Sequence, residues 1–396
     1  MFAQQEEQIE EVTIENYEND IDVKEEIKEE IKIAEEKDDS LEIEASLIEE
    51  KEEAKDQVEQ EASYTLSKSK FYTLHATHPD GPGIGRYFHT VKFTDEPLPA
   101  GVTAVDLSEN GDGSVIGGIE GEGTNQPNLI VTTNTPGKKV KFPRDSSYLF
   151  TKFSQNDPNA GVVGLSRSVM DLSNVDTSEV TNMEGMFAST TQLKYLDLRS
   201  FNTSNVDNMS NMFQGCSSLT EIDLSSFDTF NVRDMERMFS GCNGLATLDI
   251  SNFKTQNVRY MKEIFAGCSS LTSFDLRNFD TSQVSDMTGM FRGCRSLTTL
   301  DLSNFNVSMN LYTSEMFRDC SSLISLDLSN FNTRNVINMQ GMFWQCTSLK
   351  SLNLSGDFTT EKVKSMTAMF AECTALEELD LSNFNTRNVI NMQAMF

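Results

Sequence analysis

Histidine is nearly missing from this chain: His75, His78 and His89 are the three in 396 residues, and there is one tryptophan, Trp344. Imidazole chemistry is thereby confined to one short stretch. No apolar run reaches 18 residues, which excludes a spanning helix of ordinary length. None of the seven cysteines forms a C-x-x-C pair, so zinc-ligand spacing is absent. Positive charge is also scarce, with 32 Lys and Arg against 61 Asp and Glu, a formal net charge of -29. A surface of that sign repels phosphate and argues against nucleic acid or anionic membranes as partners. The N-terminus MFAQQEEQIE has neither the basic start nor the apolar stretch of a signal peptide.

What is present is unevenly spread. Residues 1–61 hold 25 Asp and Glu against six Lys, a net -19 of the chain's -29. With isolated Ile and Val among Glu/Lys tracts, residues 1–63 read as a largely disordered acidic spacer. So few apolar groups do not offset the entropy of ordering. Residues 64–165 are rich in turn formers and in aromatic and β-branched residues, as in GVTAVDLSENGDGSVIGGI and NLIVTTNTPGKKVKF. They predict a small β-rich module that caps the segment after it.

From residue 166 to 396 the chain repeats itself. A Met-Phe pair starts at Met186, Met212, Met238, Met290, Met316, Met342, Met369 and Met395, with Ile264 replacing Met once. The step is 26 residues, lengthened to 27 by one insertion in LSGDF. Such a period marks a stacked-repeat architecture, because one unit cannot bury its apolar face alone and neighbouring units can. Each unit carries L-x-x-L-x-L-x-x-F, as in Leu219, Ile222, Leu224 and Phe227. The alternating pair around an aspartate predicts a short strand. The three- and four-residue steps through Val232, Met235, Met238 and Cys242 predict a short helix. The chain stops inside a unit at NVINMQAMF, which reads as truncation and leaves an uncapped apolar face open to end-to-end self-association.

The unit C-x-x-L-x-x-L-x-L-x-x-F…V-x-x-M-x-x-M-F resembles that of BspA-like leucine-rich repeat surface proteins, mostly bacterial. The lead-in DLSENGDGSV…DSSYLF is similar to segments that precede such arrays. The resemblance implies an α/β fold: a right-handed leucine-rich-repeat solenoid with a parallel sheet of short strands and short helices. It implies a protein at the cell surface or secreted, acting in adhesion toward protein or glycan ligands on host, matrix or neighbouring cells. The ninth consensus position is Phe here, where the common pattern has Asn or Cys.

Two rows of residues are candidates for function. Asp197, Asp223, Asp249, Asp275, Asp301, Asp327 and Asp380, with Asp171 before them and Asn353 interrupting, fill the middle of L-x-L. Strand alternation turns them away from the core, onto the concave face. Like charges about 5 Å apart repel by roughly 1 kcal/mol in water, which a cation or a basic ligand would relieve. The competing reading is a solvated stripe bonded to its own Ser and Thr neighbours. Cys216, Cys242, Cys268, Cys294, Cys320, Cys346 and Cys373 recur once per unit and read as a structural ladder of buried free thiols.

Catalysis finds little support. HATHPD sets His75, His78 and Asp80 close in sequence but reads as a polar loop. GPGIGR lacks the Lys-Ser/Thr of a phosphate loop. No cofactor or metal is implied, and Trp344 is at most a surface contact. The expected function is a binding or adhesion module. The alternative is a passive stalk that projects another domain; the same LDLSNFNTRNVINMQ at 326–340 and 379–393 leans toward that reading or toward recent duplication. FNVSMNLYTSEMF stands apart from the other units, with Val307, Asn310 and Thr313 at positions normally Thr, Val and Met. It predicts a weak coil.

Overall fold

The computed structural model describes residues 62–76, 88–124, 127–151, 169–191 and 193–396. The acidic stretch 1–61 and most of the HATHPD and GPGIGR segments lie outside the described residues. Contacts divide the chain after Ala62, and every described helix and strand belongs to the unit from Ser63 onward.

The segment before the repeats forms one α-helix and a mixed sheet. Helix α1 (Lys68–Ala76) starts after Ser67, whose carbonyl accepts the Phe71 N–H at 2.9 Å. Strands β1 (Thr90–Thr94), β2 (Val105–Asp106), β3 (Ile116–Glu120) and β4 (Asn128–Thr132) are followed by β5 (Val140–Lys141) and β6 (Val169–Asp171). The main sheet has the order β2-β3-β4-β1-β6. Its antiparallel half, β2-β3-β4, turns parallel at β4-β1-β6. β6 is already the L-x-L strand of the first repeat, with Met170 opposite Val91. The module therefore passes its sheet directly to the array. Its core is aromatic: Phe93 meets Phe142 edge-on at 5.4 Å, and Phe71 meets Phe150 at 6.0 Å.

Phe150 also begins the repeat pattern. Its ring stacks on Phe187 at 5.1 Å, and the file continues through Phe213, Phe239, Phe265, Phe291, Phe317, Phe343 and Phe370 to Phe396. Centroids are 5.1–6.0 Å apart, and planes lie within 18° of parallel. Each contact adds about 0.5–1.5 kcal/mol beyond area burial. Residues 145–150, DSSYLF, are thus a partial coil in register with the repeats, and Asp145 bridges Asn182 in parallel. Gly185 is required at that junction. Its φ is +56°, and a Cβ there would fall 2.2 Å from the Tyr148 ring.

Within the array, strands β8 (Tyr195–Asp197) and β9 (Glu221–Asp223) pair in parallel, as do β10 (Ser325–Asp327) and β11 (Ser351–Asn353). Strand β7 (Val175–Asp176) pairs with β5. The corresponding segments at 247–249, 273–275, 299–301 and 378–380 form no paired strand. A second parallel ladder is continuous. It links Asn182, Asn208, Asp234, Tyr260, Asp286, Tyr312, Asn338, Ser365 and Asn391, one residue from each coil.

That second ladder corrects the expected helix. Among the described residues α1 is the only α-helix, and the V-x-x-M-x-x-M-F segments are successive turns. The Met212 N–H bonds to the Met209 carbonyl and the Cys216 N–H to that of Phe213, with Asn211 and Gly215 at φ +58° and +72°. Positive φ at the third residue is the type II pattern. The N–H groups of Met209, Asn211, Phe213 and Gly215 instead cross to the next coil, reaching Asp234, Glu236, Met238 and Ser240 at 2.7–2.9 Å. Half the amides are thus committed between coils, and a helix would need them within its own segment. The three-residue step still buries one face: Val206, Met209, Met212, Phe213, Cys216 and Leu219 are fully buried.

Threonine supplies a third link between coils. The hydroxyl of Thr203 donates to the Asp228 carbonyl at 2.9 Å and accepts the N–H of the same residue at 2.8 Å. Thr177, Thr229, Thr255, Thr281, Thr333 and Thr360 repeat this exchange at buried positions. Val307 has no hydroxyl to do so. In the same coil Asn310 is fully buried with its Nδ2 unpartnered, and Thr313 fills a Met position.

Candidate functional site

The aspartate row is solvent-facing, with Asp171, Asp249, Asp275, Asp301, Asp327 and Asp380 exposed and Asp197 and Asp223 half-exposed. Each of them has a structural task. The Oδ1 of every aspartate, and of Asn353 in their place, accepts the backbone N–H two residues on at 2.8–3.2 Å. This turn curls the chain away after three strand residues. Hydrogen bonds from the serine two residues on, chiefly by its side chain at Asp223 and chiefly by its N–H at Asp249, Asp301, Asp327 and Asp380, hold these carboxyls below the usual range. Asp197 and Asp275 are further paired with arginines of their own coils. Arg199 lies 2.5 Å from Asp197, and Arg277 lies 2.6 Å from Asp275, whose pKa falls to about 2. The row is therefore an edge of turn-forming carboxylates, two of them neutralised locally.

The seven cysteines are free thiols, six buried and Cys373 half-buried. Each Sγ donates to a phenylalanine carbonyl of the preceding coil at 3.1–3.3 Å, from Cys216 to Phe187 through Cys373 to Phe343. In the coil before Cys216, Thr190 stands at the cysteine position and donates instead to the Phe187 carbonyl of its own coil at 2.8 Å, the acceptor that Cys216 also uses. The row is a set of inter-coil clips made by small, weakly polar donors. Burial pushes Cys268 and Cys320 up to about 12 and Cys373 to about 11.

A third row was not evident in the sequence. Glu263 accepts from Arg237 at 2.6 Å and from Arg292 at 2.9 Å, and Arg292 continues to Glu315 at 3.0 Å. Glu315 meets Arg318 at 3.1 Å, and the Arg318 guanidinium covers Trp344. Arg292 and Arg318, with Gly241, Gly267 and Gly293, line a shallow groove of about 380 Å³. Apart from Glu315 and Arg318, partners lie 23 to 29 positions apart, so superposing the 26-residue units would have brought them together. Before the repeats, a cavity of about 650 Å³ lies among Ser67, Lys68, Tyr72, Lys141 and Arg144. Its Lys68 and Lys141 are balanced by Asp145 and Glu179. Among the described residues no group of three His, Cys, Asp or Glu is arranged to hold a metal, and no helix is long and apolar enough to cross a membrane.

One Phe, one Cys and one turn-forming Asp per coil, clipped to the next coil by the same bonds, define a tandem-repeat protein. The family model described as Mycoplasma protein of unknown function, DUF285, matches residues 160–273, 244–354 and 311–396. These overlapping matches cover well over half the chain, and the chain belongs to that repeat family. No curated protein and no solved structure matches it.

Proposed function

We propose that the chain is a binding or adhesion module, a leucine-rich-repeat solenoid of the BspA-like kind displayed at a bacterial cell surface or secreted, with no catalytic role. The supporting observation is the contrast between buried and exposed rows. Inside, the Phe, Cys and Thr rows vary little from coil to coil. Outside, the row that begins at Thr181 runs Asp207, Arg233, Arg259, Ser285, Leu311, Ile337, Lys364 and Ile390. A uniform scaffold with a variable exterior suits recognition of protein or glycan ligands, because rigid side chains lose little freedom on binding. The aspartate row is a second proposed contact, for a cation or a basic ligand.

The test is twofold: antibody labelling of intact cells, and adhesion of the purified chain to cultured host cells and immobilised matrix proteins. Labelling only after lysis, together with no adhesion, would sink the proposal. The passive stalk is favoured by the identical copies at 326–340 and 379–393. It predicts surface labelling with no adhesion.

A further inference from the structure

The exposed row from Arg233 to Lys364 joins cations that have no partner to apolar side chains that have no cover. Arg259 donates its N–H to Arg233, Ser285 to Arg259, Leu311 to Ser285, Ile337 to Leu311 and Lys364 to Ile337, at 2.9–3.1 Å. The row therefore climbs one coil at a time, about 4.8 Å per step. Arg233, Arg259 and Lys364 are exposed, and among the described residues none has a carboxylate within 4 Å. Arg237, Arg292 and Arg318, on two neighbouring rows, are all paired. Between the unpaired cations Leu311 is 40% exposed and Ile337 half-buried, and beside them Met309 is 58% and Tyr312 39% exposed.

We propose that this row is a docking surface for an acidic protein segment, one that places an aliphatic side chain on Leu311 and Ile337 and carboxylates toward Arg233, Arg259 and Lys364. Charge complementarity selects the sign. The chain's net negative charge does not forbid it, because that field is screened beyond about 8 Å at physiological salt. The aliphatic centre selects a peptide: nucleic acid and sulfated glycans offer Leu311 and Ile337 no comparable partner. Two adjacent guanidinium groups suit carboxylates, which they bind in planar, bidentate fashion. Asp207 occupies the row one coil before Arg233 and limits it on that side. The proposal rests on the binding-module reading and names a site and ligand class for it.

The experiment uses the full chain and a fluorescein-labelled peptide of five Glu-Glu-Ile triplets, followed by anisotropy at physiological salt. Serine already stands in this row at Ser285, so Arg233→Ser/Arg259→Ser and Leu311→Ser/Ile337→Ser retain a native-like coil, checked by circular dichroism. Each pair of substitutions is expected to weaken binding about tenfold or more. Added salt should weaken the parent and the leucine/isoleucine variant, and should affect the arginine variant much less. Unchanged affinity in both variants overturns the proposal. So does competition by heparin or duplex DNA that matches the peptide, which would mark a bare cationic patch. Binding of phosphatidylglycerol vesicles that is lost with the same substitutions would assign the row to a membrane instead. If the peptide binds neither parent nor variants while adhesion to cells persists, this site is refuted and the binding module stands.

Discussion

The Arg318 guanidinium lies 3.9 Å from the centroid of the Trp344 ring, one coil further on. Arg318 also meets Glu315 at 3.1 Å, and the Trp344 Nε1 donates to Glu372 at 3.4 Å. A cation over an indole face contributes about 0.5–1 kcal/mol at a partly exposed site, and the ion pair a similar amount or less. Arg318→Ala should therefore cost about 1 kcal/mol. Trp344 is the sole tryptophan, so its emission reports this contact and should shift to the red as water replaces the guanidinium. Unaltered emission together with an unaltered urea midpoint would show that the contact carries no energy.

Asn310 stands where neighbouring coils place Val284 and Val336, and its buried Nδ2 has no partner. A buried donor left unsatisfied costs about 1–3 kcal/mol. Asn310→Val should recover much of that and raise the urea midpoint. In the parent, amides of 305–316 should exchange faster than those of 279–290, since a repeat array weakens locally at a defect. The substitution should narrow the gap. Equal protection of the two windows in the parent would contradict this account.

The core was legible because burial repeats every 26 residues, and rows such as Phe213, Phe239 and Phe265 stand out directly. The turn after each L-x-L strand was legible in part. Asp followed by Leu-Ser is a turn signal, yet charge is the more conspicuous property of an aspartate row. The helix expectation fails because Val232, Met235 and Met238 fit both a helix and a run of three-residue turns. The choice is made by the N–H groups of Met209 and Phe213, which bond to residues 25 positions away. No local window contains those partners. The Arg237–Glu263–Arg292 chain was invisible for the same reason, as was the unpaired state of Arg233 and Arg259.

The thiols should react in a fixed order. Cys216 through Cys346 are fully buried, and Cys373 is half-buried. Only the thiolate attacks a disulfide reagent, and Cys373, at about 11, still ionises more readily than Cys268 or Cys320. Under native conditions Ellman's reagent should modify Cys373 first, with the remaining thiols appearing only as the chain unfolds. Seven equivalents released at once from the folded protein would show that the thiol ladder is not packed as described.

The aspartate row should govern stability in acid. Asp223, Asp249 and Asp275 have folded pKa values below the ordinary 3.8, to about 2 for Asp275, because the charged form is favoured by the side chain and then the N–H of Ser225 at Asp223, by the N–H and then the side chain of Ser251 at Asp249, and by the Arg277 guanidinium and then its N–H at Asp275. A depressed folded pKa contributes stability that is present above the unfolded value and lost as pH falls through the folded one. The parent should therefore lose thermal stability as pH drops from about 4 toward 2. Replacing the three residues with asparagine keeps an Oδ1 for each turn, as Asn353 already does for Ser355 at 3.1 Å, and removes the titration. The triple variant should match the parent closely at neutral pH, where the lost Arg277 pair and the relieved repulsion act in opposite directions. Its melting temperature should then fall less across the acid range. If the two pH profiles superimpose, these carboxylates are not the groups through which acid acts. If the variant is already much less stable at pH 7, asparagine does not replace the carboxylate in the turn.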